Sequence, residues 1–264
     1  MYANLAGLEV GDGFPVRVVG ALNVSPESFY AGSVARGRAT LQRRAERLVG
    51  EGAAILDVGG MSTAPYLSGA ITEEQEARRM TAAICALRHA VSVPISADTQ
   101  RSRVAAAALE AGANIINDVS GLSADPAMGG VARRAEGVIL MAWEPGVTAD
   151  APMRMIAARL RQCLTHARLA RIAPNRIVLD PGIGFFRRAA VPWYQLDCAV
   201  LGQLSRLRRL GRPVMVGISR KSFIGKLTGR PDVRERLYGS LAAAAIAIAV
   251  VLIAGLTLVS RLGY

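Results

Sequence analysis

Short apolar runs alternate with longer amphipathic stretches along this chain of 264 residues. The runs are near-continuously apolar, as in strands buried on both faces, and the stretches between them repeat apolar residues at helical spacing. The predicted strands are Val16–Leu22, Ala54–Val58, Val93–Ala97, Asn114–Ile116, Gly137–Met141, Arg176–Leu179, Pro213–Gly217 and Leu256–Val259. The predicted helices are Leu41–Glu51, Glu73–Ala90, Arg101–Ala111, Met153–Arg171, Val191–Leu210 and Val233–Ala254.

Strands that alternate with helices in this way predict an α/β fold with a parallel sheet covered by helices. At this chain length, eight such units favour a (β/α)8 TIM barrel over an open sheet. Neither a linker nor a change in composition divides the chain, so we expect one domain over residues 1–264. Because few residues follow the eighth predicted strand, we expect the last helix of the barrel to be missing.

One apolar stretch near the C-terminus allows a second interpretation. Residues Leu241–Val259 carry no charge and are almost numerous enough to span a bilayer as a helix. Gly255 divides the stretch into an alanine-rich part and a β-branched part, which fits a buried helix followed by a buried strand better. We therefore do not expect membrane insertion.

Polar side chains occur directly after the predicted strands. They are Asn23, Asp57, Ser62, Thr63, Asp98, Asn117, Asp118, Asp180, Ser219, Arg220 and Lys221. In a TIM barrel the carboxyl ends of all strands open onto one face, where active sites are built. The pattern therefore predicts that these carboxylates, amides and cations converge on a single site.

The composition adds a strong positive charge. Thirty-two basic residues against twenty acidic ones give a net charge of +12, and Lys221 and Lys226 are the only lysines. Such an excess fits either a nucleic acid or anionic small molecules as partner. Aromatic residues make up only 5% of the chain and do not interleave with a basic run, so we do not expect nucleic-acid binding.

Cysteine and histidine offer little catalytic material. Cys85, Cys163 and Cys198 are far apart in apolar, helix-like stretches, which indicates buried free thiols in a reducing cytoplasm and not a disulfide framework or a zinc site. His89 and His166 lie in predicted amphipathic helices and are expected at the surface. The N-terminus lacks the pattern of a secretory signal, so a cytoplasmic location is predicted.

Six segments, in order along the chain, carry a resemblance to a known family. They are Leu22–Phe29 (LNVSPESF), Gly52–Gly60 (GAAILDVGG), Ser96–Thr99 (SADT), Ala111–Asp118 (AGANIIND), Leu179–Phe185 (LDPGIGF) and Ser219–Gly225 (SRKSFIG). In them the chain resembles the dihydropteroate synthases, the pterin-binding TIM barrels of folate biosynthesis. This resemblance implies a transferase that joins an arylamine, p-aminobenzoate, to the hydroxymethyl carbon of a dihydropterin and releases pyrophosphate.

The resemblance implies a pterin site. Asp180 would accept hydrogen bonds from the 2-amino group and ring N3, while Asn117 would offer a donor and an acceptor to the same ring edge. Asp98 would lie near the reacting methylene as a catalytic residue, and Lys221 would donate to the pterin carbonyl and screen the pyrophosphate. Met141 could pack on the flat ring.

Each of these residues also has a purely structural interpretation. Asp180 could bond turn amides, Asn117 could form an Asx turn, and Asp98 could cap the helix that begins near Gln100. Met141 could be plain core. The sequence leaves both interpretations open.

The loops imply the remaining contacts. Ser62, Thr63, Ser219 and Arg220 are expected near the arylamine or the anionic groups. Asn23 belongs to the first loop, which in the family contacts pyrophosphate and Mg²⁺; a hard cation shared with phosphate oxygens needs no histidine or cysteine cage. Magnesium is therefore the expected cofactor.

The chain departs from the family pattern in four places. Ala64 stands where the family usually has an arginine, and Phe186–Arg188 replace a segment that normally runs on to a lysine. Trp143 and Glu144 follow the fifth barrel strand without the histidine often found there. The family's final Arg-x-His pair is replaced by Ser260–Tyr264, in which Arg261 is displaced by one position.

These departures keep several functions open. The first is a synthase-type transferase, using either p-aminobenzoate or a ribosyl-phosphate derivative of aminobenzene, as on the way to methanopterin-type cofactors. The second is a pterin-dependent methyltransferase, and the third is a non-catalytic pterin-binding protein that has lost pyrophosphate handling. An expected homodimer or hetero-assembly would cover apolar barrel surface left exposed by the missing helix.

Overall fold

The computed structural model describes residues 1–24, 37–61, 71–143, 152–186 and 192–261, with side chains up to residue 251. At its centre lies a six-stranded parallel sheet whose strand order equals the order along the chain. These strands are β3 (Val18–Asn23), β4 (Ala53–Gly59), β5 (Ile95–Asp98), β6 (Ile115–Asp118), β7 (Gly137–Met141) and β8 (Ile177–Asp180). Such an order results when each strand is followed by a crossover that returns the chain beside it.

Helices supply the crossovers and surround the sheet. They are α1 (Arg38–Gly50), α2 (Glu73–Arg88), α3 (Ser102–Glu110), α4 (Met128–Ala132), α5 (Pro152–Leu169), α6 (Trp193–Leu201), α7 (Ser222–Thr228) and α8 (Leu237–Arg261). Short 3₁₀ helices occupy Pro174–Arg176, Leu204–Leu210 and Val233–Arg236.

The two faces of the sheet bury two separate apolar clusters. Ile116 and its equivalents on other strands pack against the helices, whereas the neighbouring Ile115 points to the other face. This alternation explains why the strands read as continuous apolar runs. The helix-facing cluster is the larger of the two and forms the main core.

An N-terminal hairpin, which the sequence pattern did not predict, completes the inner cluster. Its strands β1 (Tyr2–Leu5) and β2 (Leu8–Gly11) pair antiparallel. Ala3 and Leu5 of the hairpin are buried against the inner residues of the sheet, among them Ile139. The hairpin therefore covers one end of the sheet with apolar side chains.

The TIM-barrel type of α/β fold and the first six barrel strands are confirmed, one of them, Gly137–Met141, with its predicted bounds. The seventh predicted strand, Pro213–Gly217, is reduced to a single parallel bridge between Val214 and Leu179. The eighth, Leu256–Val259, is wrong because these residues continue α8. Alanine and leucine around Gly255 favour the helix, and one glycine costs a helix only about 1 kcal/mol.

An eighth strand is therefore absent from the described part of the chain, and no helix follows α8 there, as expected for a barrel without its last helix. No helix in that same part has the length and hydropathy needed to span a membrane.

Candidate active site

Four residues from four neighbouring strands lie in one row at the carboxyl end of the sheet. Asn23 pairs with Gly59, Gly59 with Asp98, and Asp98 with Asn117. A Cβ atom at Gly59 would lie 3.2 Å from Asn23 Oδ1 and 3.6 Å from Asp98 Oδ2. The register of the parallel strands thus brings together residues separated by almost a hundred positions, and the missing side chain at Gly59 leaves room between two of them.

Asp98 is a half-buried residue of this row. Burial raises its pKa well above the usual range, and the negative charges of Asp57, Glu76 and Asp118 raise it further, against the opposing effect of Lys221. Its Oδ1 is buried and has no hydrogen-bond partner among the residues that the structure describes. Asp98 does not cap the helix after it, because the first amide of α3, that of Ser102, donates to the carboxylate of Asp125.

Asn117 also has a role other than a local turn. Its Nδ2 donates to Asp57 Oδ2 at 3.0 Å, across the strands β4 and β6. Burial raises the pKa of Asp57, while the hydrogen bond from Asn117 and the nearby hydroxyl of Ser96 lower it. The sequence pattern predicts Asp57 only as a strand-end residue, and the structure adds its contact with Asn117. Asp57 orients the amide of Asn117 so that the carbonyl oxygen is left for other partners.

Asp180 ends β8 beside Met141, with which it is in register. The backbone N–H of Gly182 donates to Asp180 Oδ1 at 2.7 Å, so the predicted turn contact exists. Burial nevertheless raises the pKa of Asp180 to about 6, despite this bond and the opposing charge of Lys221. The turn uses one oxygen of a carboxylate that can accept further hydrogen bonds. Met141 is fully buried beside the same turn.

Lys221 lies close enough to Asp98 and Asp180 to oppose the rise in their pKa. Its Nζ lies 4.5 Å from the ring centroid of Phe185, a cation–π distance. A Cβ atom at Gly184 would lie 2.9 Å from Lys221 Cδ, so glycine leaves the space that the lysine stem occupies. The backbone N–H of Gly184 donates to the buried carboxylate of Asp197 on α6 at 2.7 Å. The lysine is thereby packed against the turn that follows Asp180.

Ser219 and Arg220 immediately precede Lys221, in the loop that leads into α7. The buried Nε of Arg220 has no acceptor within the described part of the chain. The predicted Ser62 and Thr63 lie outside the described residues, as do Ala64 and Arg187. The side chains of Ser260 and Arg261 are not described either.

Two nearby polar groups are structural. Asp118 accepts from the backbone of Ser120 and Leu122 and shapes the loop after β6. Glu76, buried on α2, accepts from Thr99 Oγ1 at 2.7 Å and from Arg101 at 2.8 Å. This connection fixes the chain directly after Asp98.

The metal chemistry available here is limited to oxygen. Across residues that the structure describes, no three histidine, cysteine, aspartate or glutamate side chains are grouped as metal ligands. All three cysteines are free, as predicted, but Cys85 is exposed and only Cys163 is fully buried. The amide oxygen of Asn23 lies at the row described above, beside Asp98. A hard cation that arrives with its own phosphate ligands fits this donor set.

Comparisons with known proteins identify the family of this chain. The family model described as pterin binding enzyme matches residues 19–257. The dihydropteroate synthase of Synechocystis sp. is 38% identical over 244 residues, which cover 88% of this chain and 81% of the relative. A solved dihydropteroate synthase from Clostridium difficile, with pteroic acid, is 33% identical with a TM-score of 0.80, covering 91% of this chain and 90% of its own. That of Xanthomonas albilineans, with 4-aminobenzoic acid, is 32% identical with a TM-score of 0.80, covering 100% and 98%.

Proposed function

Because this chain belongs to the family of pterin-binding enzymes, as a transferase of the dihydropteroate synthase type, we propose a role in the reaction for each residue of its site. The reaction condenses 6-hydroxymethyl-7,8-dihydropterin pyrophosphate with an arylamine and releases pyrophosphate. The observation that carries the assignment is the convergence of Asp98, Asn117, Asp180 and Lys221 on one end of the sheet.

Asp180 and Asn117 bind the pterin. The ionised Asp180 accepts the 2-amino and N3 hydrogens as a matched pair. The carbonyl oxygen of Asn117 faces the same ring because its Nδ2 is already bonded to Asp57. Lys221 donates to the pterin carbonyl, and Met141 packs on the ring. The buried charges select a ring that carries complementary hydrogen-bonding groups.

Asp98 stabilises the reacting carbon. The arylamine nitrogen forms a bond to the methylene carbon, the carbon–oxygen bond to pyrophosphate breaks, and the amine then loses a proton. Positive charge develops on the pterin methylene as pyrophosphate departs. A fixed carboxylate with an unshared buried oxygen, such as Asp98, stabilises that charge without reorganising.

Magnesium fits as an ion bound mainly by pyrophosphate. Mg²⁺ usually keeps several waters and takes one or two protein ligands beside substrate phosphates, and Asn23 is the residue that would hold it here. When bound, the ion neutralises charge on the leaving pyrophosphate.

The arylamine lies at the outer end of the pterin. Ser219 and Arg220 contact it or its anionic group, and Ser62 and Thr63, which lie outside the described residues, are assigned to the same role from the sequence. The unpartnered Nε of Arg220 supports an anionic arylamine. Both p-aminobenzoate and a ribosyl-phosphate aminobenzene carry such a group, and we propose p-aminobenzoate because the similar synthase of Xanthomonas albilineans was solved with 4-aminobenzoic acid.

The remaining assignments concern the whole chain. We propose one domain and a homodimer with small-molecule substrates and no nucleic-acid partner; the cytoplasmic location stays a prediction. The dimer rests on exposed apolar side chains of α8, among them Tyr238 and Leu241.

The activity is tested with purified protein, the dihydropterin pyrophosphate, Mg²⁺ and either arylamine, by following pyrophosphate release and product mass. We expect product with p-aminobenzoate. Replacing Asp98 with asparagine should lower kcat by about a hundredfold, because removing one fixed group that stabilises transition-state charge typically costs 10²–10³. Glu110→Gln, at an exposed carboxylate at the end of α3, is the matched control and should leave kcat unchanged.

Pterin binding, measured by calorimetry, separates the alternatives. Tight pterin binding that Asp180→Ala abolishes, without product from either amine, would contradict the transferase assignment and leave a non-catalytic pterin-binding protein or a methyltransferase. Absence of pterin binding would contradict all three.

A further inference from the structure

The loop that carries Lys221 contains a residue in an unfavourable backbone conformation. Arg220 has φ = 53°, in the left-handed region, which residues other than glycine rarely adopt because their Cβ then crowds the backbone. Because Arg220 directly precedes Lys221, its backbone angles decide where the lysine side chain begins. Something in the surrounding structure must therefore stabilise this conformation.

Two side chains from beyond α7, one on the 3₁₀ helix Val233–Arg236 and one on α8, bond both backbone polar groups of Arg220. Ser240 Oγ accepts from the Arg220 backbone N–H at 2.8 Å. Arg236 Nη1 donates to the Arg220 carbonyl oxygen at 3.1 Å. Ser240 Oγ in turn donates to the carbonyl oxygen of Arg236 at 2.6 Å, so the two residues form one connected unit, one helical turn apart.

The arginine of this unit is buried and bonded only to carbonyls. Arg236 is 7% exposed, and besides Arg220 its guanidinium donates to the carbonyl oxygens of Arg230 and Pro231. None of the carboxylates in the described ranges forms an ion pair with it. Burying a cation costs solvation energy. Arg236 therefore contributes through geometry, because its rigid planar guanidinium donates to several carbonyl oxygens at fixed positions.

The motif that precedes α8 is shaped around this arginine. A Cβ atom at Gly225 would lie 2.5 Å from Arg236 Nε and 2.6 Å from the Arg230 carbonyl oxygen. Any larger residue would push the guanidinium away from the loop. Gly225 in the SRKSFIG segment thus has a packing reason that depends on Arg236.

We infer that Arg236 and Ser240 are positioning residues for Lys221: they hold Arg220 in its left-handed conformation and thereby keep the lysine ammonium over the pterin site. This inference rests on the proposed function, in which Lys221 contacts the pterin. Neither side chain touches substrate.

A double-mutant cycle tests the inference. Ser240→Ala is made in the natural chain and in the Arg220→Gly background, since glycine adopts the left-handed conformation without this crowding. We expect Ser240→Ala to lower kcat/KM and pterin affinity about tenfold when Arg220 is present, and less than about twofold in the glycine background. A purely structural role for Ser240 predicts equal losses in both backgrounds, and that result would overturn the inference.

Two further variants complete the design. Arg236→Lys keeps the positive charge but loses the planar set of guanidinium donors, so it should reduce pterin affinity. Its melting temperature should change much less than that of Arg236→Met. Thr165→Ala removes a comparable helix hydroxyl, which donates to the Arg161 carbonyl, and should change neither quantity.

A crystal structure of Ser240→Ala separates this inference from the proposed function. If φ of Arg220 stays positive and Lys221 stays over Phe185, the inference is wrong, whatever the protein binds. If the loop relaxes while the natural protein binds no pterin, the positioning holds and the proposed function fails.

Discussion

Asp180 illustrates, at the scale of one residue, how binding competes with stability. The pKa of its carboxyl is raised to about 6 chiefly by burial, and its ionised form is the one that accepts the pterin hydrogens. A raised pKa means that the folded protein disfavours the ionised carboxylate relative to the unfolded chain. The stabilising contribution is therefore complete below the unfolded pKa and is lost as pH rises through about 6.

Replacing Asp180 with asparagine should make the ligand-free protein more stable at pH 8. The shift of about two units corresponds to at most about 3 kcal/mol, and the amide oxygen can still accept from Gly182. Urea unfolding at pH 8 and pH 4 measures the difference, which should shrink toward zero at pH 4. The explanation would be contradicted if the gain in unfolding free energy of Asp180→Asn over the natural protein were no larger at pH 8 than at pH 4. Pterin binding should be lost at both pH values.

At the scale of elements, the connection between α2 and the end of β5 determines how firmly Asp98 is held. Glu76 on α2 is 1% exposed and bonded to Thr99 and Arg101, the residues that follow Asp98. The same helix is fixed at its start by a capping box between Thr72 and Gln75. The position of Asp98 therefore depends on a helix that does not enter the site.

Arg101→Met should destabilise the protein by about 3 kcal/mol, because it leaves the buried Glu76 without its cation. Arg103→Met is the matched control: Arg103 is exposed and pairs with Glu73 at 3.5 Å, so its loss should cost less than about 1 kcal/mol. Chemical denaturation of both variants gives the comparison. If both variants lost the same unfolding free energy, the burial of Glu76 would not be the reason for the loss in Arg101→Met.

Elements are also where sequence reasoning succeeded and failed. Uninterrupted apolar runs predicted β4 to β8 because strands covered on both faces need no polar position, and strand-end polarity predicted Asp98, Asn117 and Asp180. The pattern around Gly255 predicted a strand where the chain is helical, since a helix tolerates a single glycine and β-branched residues when the neighbouring residues favour helix. The positioning role of Arg236 lies in contacts between segments, which no local pattern encodes.

On the scale of the whole molecule, the charge of +12 opposes association between copies. No charged residue occurs in the chain from Leu237 to Ser260, so α8 is the long element on which this repulsion is weakest. Its inner side packs through Ala243 and Ala247, while the outer side exposes Tyr238, Leu241 and Ile246. A second copy of the chain offers the same uncharged apolar surface, as a two-fold interface requires.

Light scattering after size exclusion should accordingly find about twice the monomer mass of 27.8 kDa at micromolar concentration. Tyr238→Glu combined with Leu241→Glu should give a monomer, because two carboxylates per copy would be buried without partners in the interface. Leu169→Glu is the matched control, since Leu169 is equally exposed and apolar but lies on α5. A monomeric natural protein, or a dimer that survives both α8 substitutions, would contradict the assignment. Activity that persists in the monomeric variant would show further that one chain supplies a complete site.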